Sequence, residues 1–334
     1  MLLFLLCPGV GHRATGRPHA RTSAPAHQPP RQRRRWSYTR FQQRFAPYIF
    51  TSPFFVLFLI FGLFPLGFSL FLAFHLWNPL DGLGNWEYVG WENFQLALGA
   101  RDQFWVALKN TVWIGLLSGV PQHLVALPLA FVINQSLRRW QGSISTILFL
   151  PYITNAVAIT IVFGMLYSEN LGLLNYALSA VGLGPVRWLA LPELVPVSVA
   201  AVVFWRYVGW NVILYLSGLQ AISEDVYEAA TVDGASSAQK FFYITLPLLR
   251  PMMFYAFTLT IVGNMQLFEE PFIMVGQAGG SGGAALTSAM HIYNVAFRDL
   301  DMGYGSAMAW LLFLAIFVLS MVNNYLFSRG GGRQ

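Results

Sequence analysis

Charge is scarce in this sequence. Only 10% of its 334 residues are Asp, Glu, Lys or Arg, against about a quarter in an ordinary soluble domain, which excludes a chain built mainly for water. Cysteine is nearly absent too. With Cys7 alone, neither an internal disulfide nor a multi-thiolate metal site can brace the fold, and packing must do so. No acidic residue occurs before Asp81. A membrane enzyme would need a nucleophile with its base, or a metal set. No His-Glu-x-x-His is present, and the six histidines are scattered at 12, 19, 27, 75, 123 and 291. The chain is therefore read as no enzyme, with no catalytic residue, metal site or cofactor.

What is there is apolar: 56% of the residues are hydrophobic and the mean hydropathy is +0.53. A helix crossing a bilayer needs about 20 mainly apolar residues. Four uncharged runs can each hold one: Phe45 to Leu80, Asn110 to Leu137, Trp140 to Ser168 and Met302 to Ser328. Two further candidates carry charge. Leu194 to Gly218 contains Arg206, and Pro251 to Val275 meets Glu269 and Glu270 near its far end. The fold class expected is an all-α membrane protein, a bundle of six transmembrane helices.

The net charge of +6 has a local origin, because nine arginines precede residue 45. Basicity thus belongs to a tail, and no nucleic-acid partner is expected. Lys and Arg favour cytoplasmic loops. An inside N-terminus puts the tail, Arg138, Arg139, Lys240, Arg250, Arg329 and Arg333 in the cytoplasm, and six spans return the C-terminus there. Residues 1–44, rich in Arg and Pro without apolar periodicity, read as a disordered tail. Its role is that of a topology determinant or a contact with anionic membrane lipid. Met1 to Cys7 is too short for a signal-peptide core. Residues 45–328 form the membrane domain, followed by a short tail, 329–334. Trp77, Trp86, Tyr88, Trp91 and Trp188 fall in outer loops, where interfacial anchoring accounts for them. Gly276 to Gly283 reads as a flexible loop.

The longest cytoplasmic loop, 219–250, reads LQAISEDVYEAATVDGASSAQKFFYITLPLLR. Ser223 is a good N-cap, and Glu224 and Asp225 suit the first turn of a helix. Gly234 ends that helix. Ser236-x-x-Gln239 opens a second as a capping box, carrying Phe241, Phe242 and Ile244 and stopping before Pro247. The product is a helix-turn-helix whose small residues, Ala229, Ala230, Gly234 and Ala235, leave an approachable surface edged by Glu228 and Asp233. Composition alone fits two readings, a docking surface and an interfacial anchor.

Glu228-Ala229-Ala230, then Asp233-Gly234-Ala235, with Leu246-Pro247 and Pro251 downstream, resembles the EAA loop of binding-protein-dependent ABC importer permeases. Gly90-Trp-Glu-Asn-Phe94 and FRDLDMGYGSAMAW at 297–310 extend the likeness to the carbohydrate subgroup, which includes maltose, lactose and glycerol-phosphate permeases. The resemblance implies that the loop is a coupling helix docking on an ATPase subunit, with Glu228, Ala229, Ala230, Asp233, Gly234 and Ala235 carrying the contact. It also implies a second homologous permease, two ATP-binding-cassette ATPase subunits, an extracytoplasmic sugar-binding protein, and a place in a bacterial or archaeal plasma membrane.

Neutral sugars are gripped by a few polar groups in an otherwise apolar pocket. Tyr207, Trp210 and Asn211 on the fourth span, with Asn264, Gln266, Phe268 and Glu269 on the fifth, combine the right types near mid-span. By resemblance to the maltose-type permease these two regions line the substrate path. An ion-coupled secondary transporter or channel is the rival, since a helical bundle with a few buried charges describes those as well. Such a carrier has no use for a docking loop.

Overall fold

The computed structural model describes residues 38–82, 84–99 and 103–329. The expected tail lies outside the described residues except for its last seven positions, which already belong to helix α1 (Tyr38–Phe58). Every side chain from Tyr48 to Phe58 is exposed, and nearly all are apolar. Thr51 and Ser52 turn their hydroxyls back to the Pro47 and Ile49 carbonyls, each at 2.8 Å. A helix apolar on all sides calls for a non-aqueous surround. The described residues fall into two units, one up to Leu59 and a larger one from Ile60 onward.

After a wide π turn at Leu59–Leu63, α2 (Phe64–Leu72) leads into a small antiparallel hairpin. β1 (His75–Leu76) pairs with β2 (Glu87–Tyr88), His75 facing Tyr88. Next come helices α3 (Glu92–Leu98), α4 (Phe104–Ser136), α5 (Gln141–Ile153), α6 (Ala156–Leu166) and α7 (Leu173–Ala180), and then α8 (Val195–Leu219). The loop helices are α9 (Glu224–Val232), α10 (Ser237–Gln239) and α11 (Leu246–Leu248). The chain closes with α12 (Arg250–Met265), α13 (Glu269–Val275), α14 (Ser288–Tyr293) and α15 (Met302–Arg329).

Four helical runs are each long and apolar enough to cross a membrane: Phe45–Leu72, Phe104–Ser136, Val195–Leu219 and Met302–Ser328. Two bent pairs, Arg138–Ile153 with Ala156–Leu166 at 89° and Ser237–Leu248 with Arg250–Val275 at 72°, bring the number up to six if each pair is one span. The first uncharged run holds its span at Phe45–Leu72, and residues 73–80 go into the hairpin and a short turn. Two expectations change. The third span is broken: Pro151 weakens the end of α5, and Asn155 restarts the chain by accepting a hydrogen bond from the Ala158 N–H at 3.2 Å. The second loop helix does not stop before Pro247. It widens into a π turn over Lys240–Thr245 and runs on through α11, where Pro247 sits in the first turn and its missing N–H interrupts no helical bond.

The centre is the packing of α4 on α8. Ala126, Ala130 and Ile133 meet Val212, Tyr215, Leu216 and Leu219, with Leu249 and Ala256 joining from the start of α12. A second cluster, toward the other end, joins Ile114 to Val195, Val199 and Val203. Close approach is enforced by small residues: a Cβ on Gly209 would lie 1.7 Å from the Leu148 carbonyl oxygen of α5. The Gly90-to-Phe94 stretch acts as a staple. Buried Asn93 donates to the Ala73 and His75 carbonyls at 3.0 and 3.1 Å, tying α3 to the end of α2.

Candidate functional site

Two sites emerge, one on the loop and one between helices. In the loop, the Ser223 hydroxyl caps α9 by accepting from the Asp225 N–H at 3.3 Å. The helix then closes as a Schellman turn: Ala235 N–H donates to the Ala230 carbonyl at 2.9 Å and Gly234 N–H to that of Thr231 at 3.0 Å. Gly234 has φ +77°, a region where an L side chain costs roughly 1–2 kcal/mol. A Cβ placed there meets nothing within 4 Å, so the turn is presented outward. The capping box is present in full, with Gln239 N–H on the Ser236 hydroxyl and Ser236 N–H on the Gln239 side chain at 2.7 Å.

Of the six coupling candidates, Glu228, Ala229, Asp233 and Gly234 are exposed, and Ala230 and Ala235 are half-buried. Exposed apolar side chains accompany them. Val232 is 88% and Tyr243 79% accessible, and apolar side chains so exposed mark a surface that meets a protein or the membrane. Behind this face the loop is held firmly. Buried Tyr227 shares a hydrogen bond with Thr245 at 2.9 Å, bridging α9 to the π turn. Burial pushes its phenol up from the ordinary range, with the Thr245 bond opposing. Lys240 Nζ donates to the Thr231 hydroxyl at 2.7 Å, and Arg138, just before α5, pairs with Glu224. A cavity of about 520 Å³ lies between this loop and the ends of α4 and α8, lined by Gln135, Arg138, Gln220, Glu228 and Lys240 among others. Tyr227, Val232 and Tyr243 went unnoticed in the sequence, where no local signal separates a buried tyrosine from an exposed one.

The second site is a pocket of about 250 Å³ among α4, α5, α8 and α12. Four of the seven substrate-path candidates line it: Tyr207, Trp210, Asn211 and Asn264. Gln122, Tyr152 and Thr260 complete its polar and aromatic lining; Gln122 and Tyr152 were missed because their spans carry no charge to draw notice, and Thr260 because a hydroxyl one turn before Asn264 has no signal of its own. Asn211 Nδ2 donates to Gln122 Oε1 at 2.9 Å, and both side chains are about 99% buried. Gln122 Nε2 and Asn211 Oδ1 keep no hydrogen-bond partner in the chain. Asn264 Nδ2 donates to the Gly115 carbonyl at 3.0 Å. Tyr152 stacks on Trp210, centroids 4.6 Å apart and planes 17° apart, giving a flat aromatic wall.

Gln266, Phe268 and Glu269 stand outside that lining. The helix breaks at Gln266–Phe268, and the break rotates α13 away from the pocket. Gln266 is exposed. Phe268 packs on Phe272 and against Ala107, Leu286 and Met290. Glu269 is exposed, 3.8 Å from Arg206. Its neighbour Glu270 is the buried partner, 3% accessible and 2.6 Å from Arg206 Nη1, so this charge cluster fastens α8 to α13.

A helical bundle with several segments long and apolar enough to cross a membrane, an exposed capped loop and a small polar pocket between helices fits a membrane transport protein. Residues 31–330 match the family described as the binding-protein-dependent transport system inner membrane component, and the chain belongs to that family. It is thus a multi-pass, non-enzymatic membrane component of ABC importers, and the family membership decides against the secondary transporter. The arabinooligosaccharides transport system permease AraP of Halalkalibacterium halodurans is 32% identical over 287 residues, 85% of this chain and 88% of that protein. The lactose transport system permease LacF of Rhizobium radiobacter is 31% identical, covering 83% and 92% respectively. Among solved structures, a chain of a bacterial alginate ABC transporter, crystallised with an alginate-bound periplasmic protein, superposes with a TM-score of 0.74. It is 25% identical and covers 89% of this chain and 98% of that one.

Proposed function

We propose that this chain is a sugar-translocating permease that works beside a second homologous permease, two ATP-hydrolysing subunits and an extracytoplasmic sugar-binding protein. Both termini face the cytoplasm, and the basic segment before Phe45 fixes that orientation. ATP-driven closure of the partner subunits pushes on residues 223–245, with Glu228, Ala229, Ala230, Asp233, Gly234 and Ala235 at the contact. The Tyr227–Thr245 bond carries the push to α11 and α12, and the Arg138–Glu224 pair carries it to α5. Helices α5 and α12 also wall the pocket, which the motion exposes to alternate sides. The sugar assignment draws on the permeases this chain is similar to and on the lining of amides and stacked aromatics, the chemistry that holds hydroxyls and sugar faces.

The observation that carries the reading is the outward Schellman turn at Gly234. Gly234→Asp leaves the chain inserted and folded, since the new side chain enters open space, but it obstructs docking. Uptake in cells expressing the full transporter should fall to background while the membrane content of this chain stays normal. Uptake that survives the substitution would overturn the coupling assignment.

A further inference from the structure

The pocket is uncharged, yet charge sits just behind its wall. None of its ten lining residues is acidic or basic. Arg206, near the middle of α8, is one residue from Tyr207, with its guanidinium carbon 5.2 Å from the centroid of that lining ring. An unpaired charge at such a depth is costly, and two carboxylates answer it: Glu270 at 2.6 Å and Glu269 at 3.8 Å. One cation against two anions leaves the cluster formally negative.

Resting on the sugar-permease reading, we propose that this cluster makes the pocket selective for neutral sugars and rejects anionic ones such as uronic acids. A carboxylate entering a low-dielectric pocket loses its hydration. Arg206, beside the lining Tyr207 ring, could compensate it, but that cation is already held by Glu270. The uncharged lining then offers the carboxylate nothing to replace its lost hydration. A neutral sugar meets no such barrier. Its hydroxyls meet the hydroxyl and amide groups of Thr260 and Asn264 in the lining, and its apolar face fits the Tyr152–Trp210 stack. Fold likeness does not settle this choice, since a structural relative takes part in the import of an acidic polysaccharide, alginate.

The test uses the assembled transporter with Cys7→Ser and Thr260→Cys in this chain, so that its one thiol lies in the pocket. Neutral, anionic (sulfonatoethyl) and cationic (trimethylammonioethyl) methanethiosulfonates are compared, each rate divided by that for mercaptoethanol in solution and labelling read from the mass of this chain. The anionic reagent should lag the neutral one by on the order of tenfold, and the cationic reagent should lead the anionic. Glu270→Gln, which leaves Arg206 only the exposed Glu269 at 3.8 Å, should narrow that gap. If that variant fails to assemble, Glu269→Gln, which alters only an exposed carboxylate, should narrow the gap. Equal normalised rates in the parent, or a gap that neither variant moves, would overturn the proposal. In vesicles, neutral arabino-oligosaccharides should enter and oligogalacturonates should not; entry of the latter counts against the proposal. Entry of neither would mean that this chain carries another sugar, and the labelling ratio still decides the charge screen.

Discussion

At Gly209 a missing Cβ sets the distance between two helices. The Leu148 carbonyl of α5 occupies the space a side chain would take, so Gly209→Ala must push α5 off α8 and disturb the Tyr152–Trp210 wall beyond it. Overpacking of this kind costs about 1–3 kcal/mol. Purified transporter carrying the change should unfold several degrees lower in a thermal scan. Gly234 differs in kind: φ +77° demands glycine there, but the surroundings are empty. Gly234→Ala should therefore leave the melting temperature of the membrane domain almost unchanged and weaken only the loop, seen as faster amide exchange in residues 223–245.

The loop as an element is a rigid wedge, because its ends are capped and its two helices are cross-linked. Removing the Ser236 hydroxyl costs ~1 kcal/mol of local helix stability, and Ser236→Ala should loosen α10 without affecting assembly. Tyr227→Phe removes the hydrogen bond to Thr245 while keeping the ring. If that bond transmits force, reconstituted transporter should hydrolyse ATP at the normal rate yet move less sugar per ATP. An unchanged ratio would assign the bond to local stability alone. The capped helix, its glycine stop and the capping box were legible because each depends on residues within a few positions of one another. The passage through Pro247 was not, since a widened π turn leaves no signature in residue type.

For the whole molecule, the expected arrangement is an even number of crossings with both ends inside. A C-terminal green fluorescent protein fusion should fluoresce and an alkaline phosphatase fusion at the same point should be inactive. Active phosphatase would mean that one bent pair does not cross. That outcome is informative because a count of six needs both bent pairs, α5 with α6 at 89° and α10–α13 at 72°, to cross.

The sequence by itself determined that this is a membrane protein, roughly where its spans lie, and that residues 223–245 hold two capped helices joined at a glycine, since hydropathy, charge bias and capping are properties of neighbours along the chain. Tertiary structure decided what the spans share. Gln122 on α4 meets Asn211 on α8, and Tyr152 on α5 stacks on Trp210, although tens of residues separate each pair. The two glutamates parted in the same way: the break after Met265 turns Glu270 inward to Arg206 and leaves Glu269 at the surface. Residue type could not distinguish them, because only the path of the backbone fixes which carboxylate loses its water.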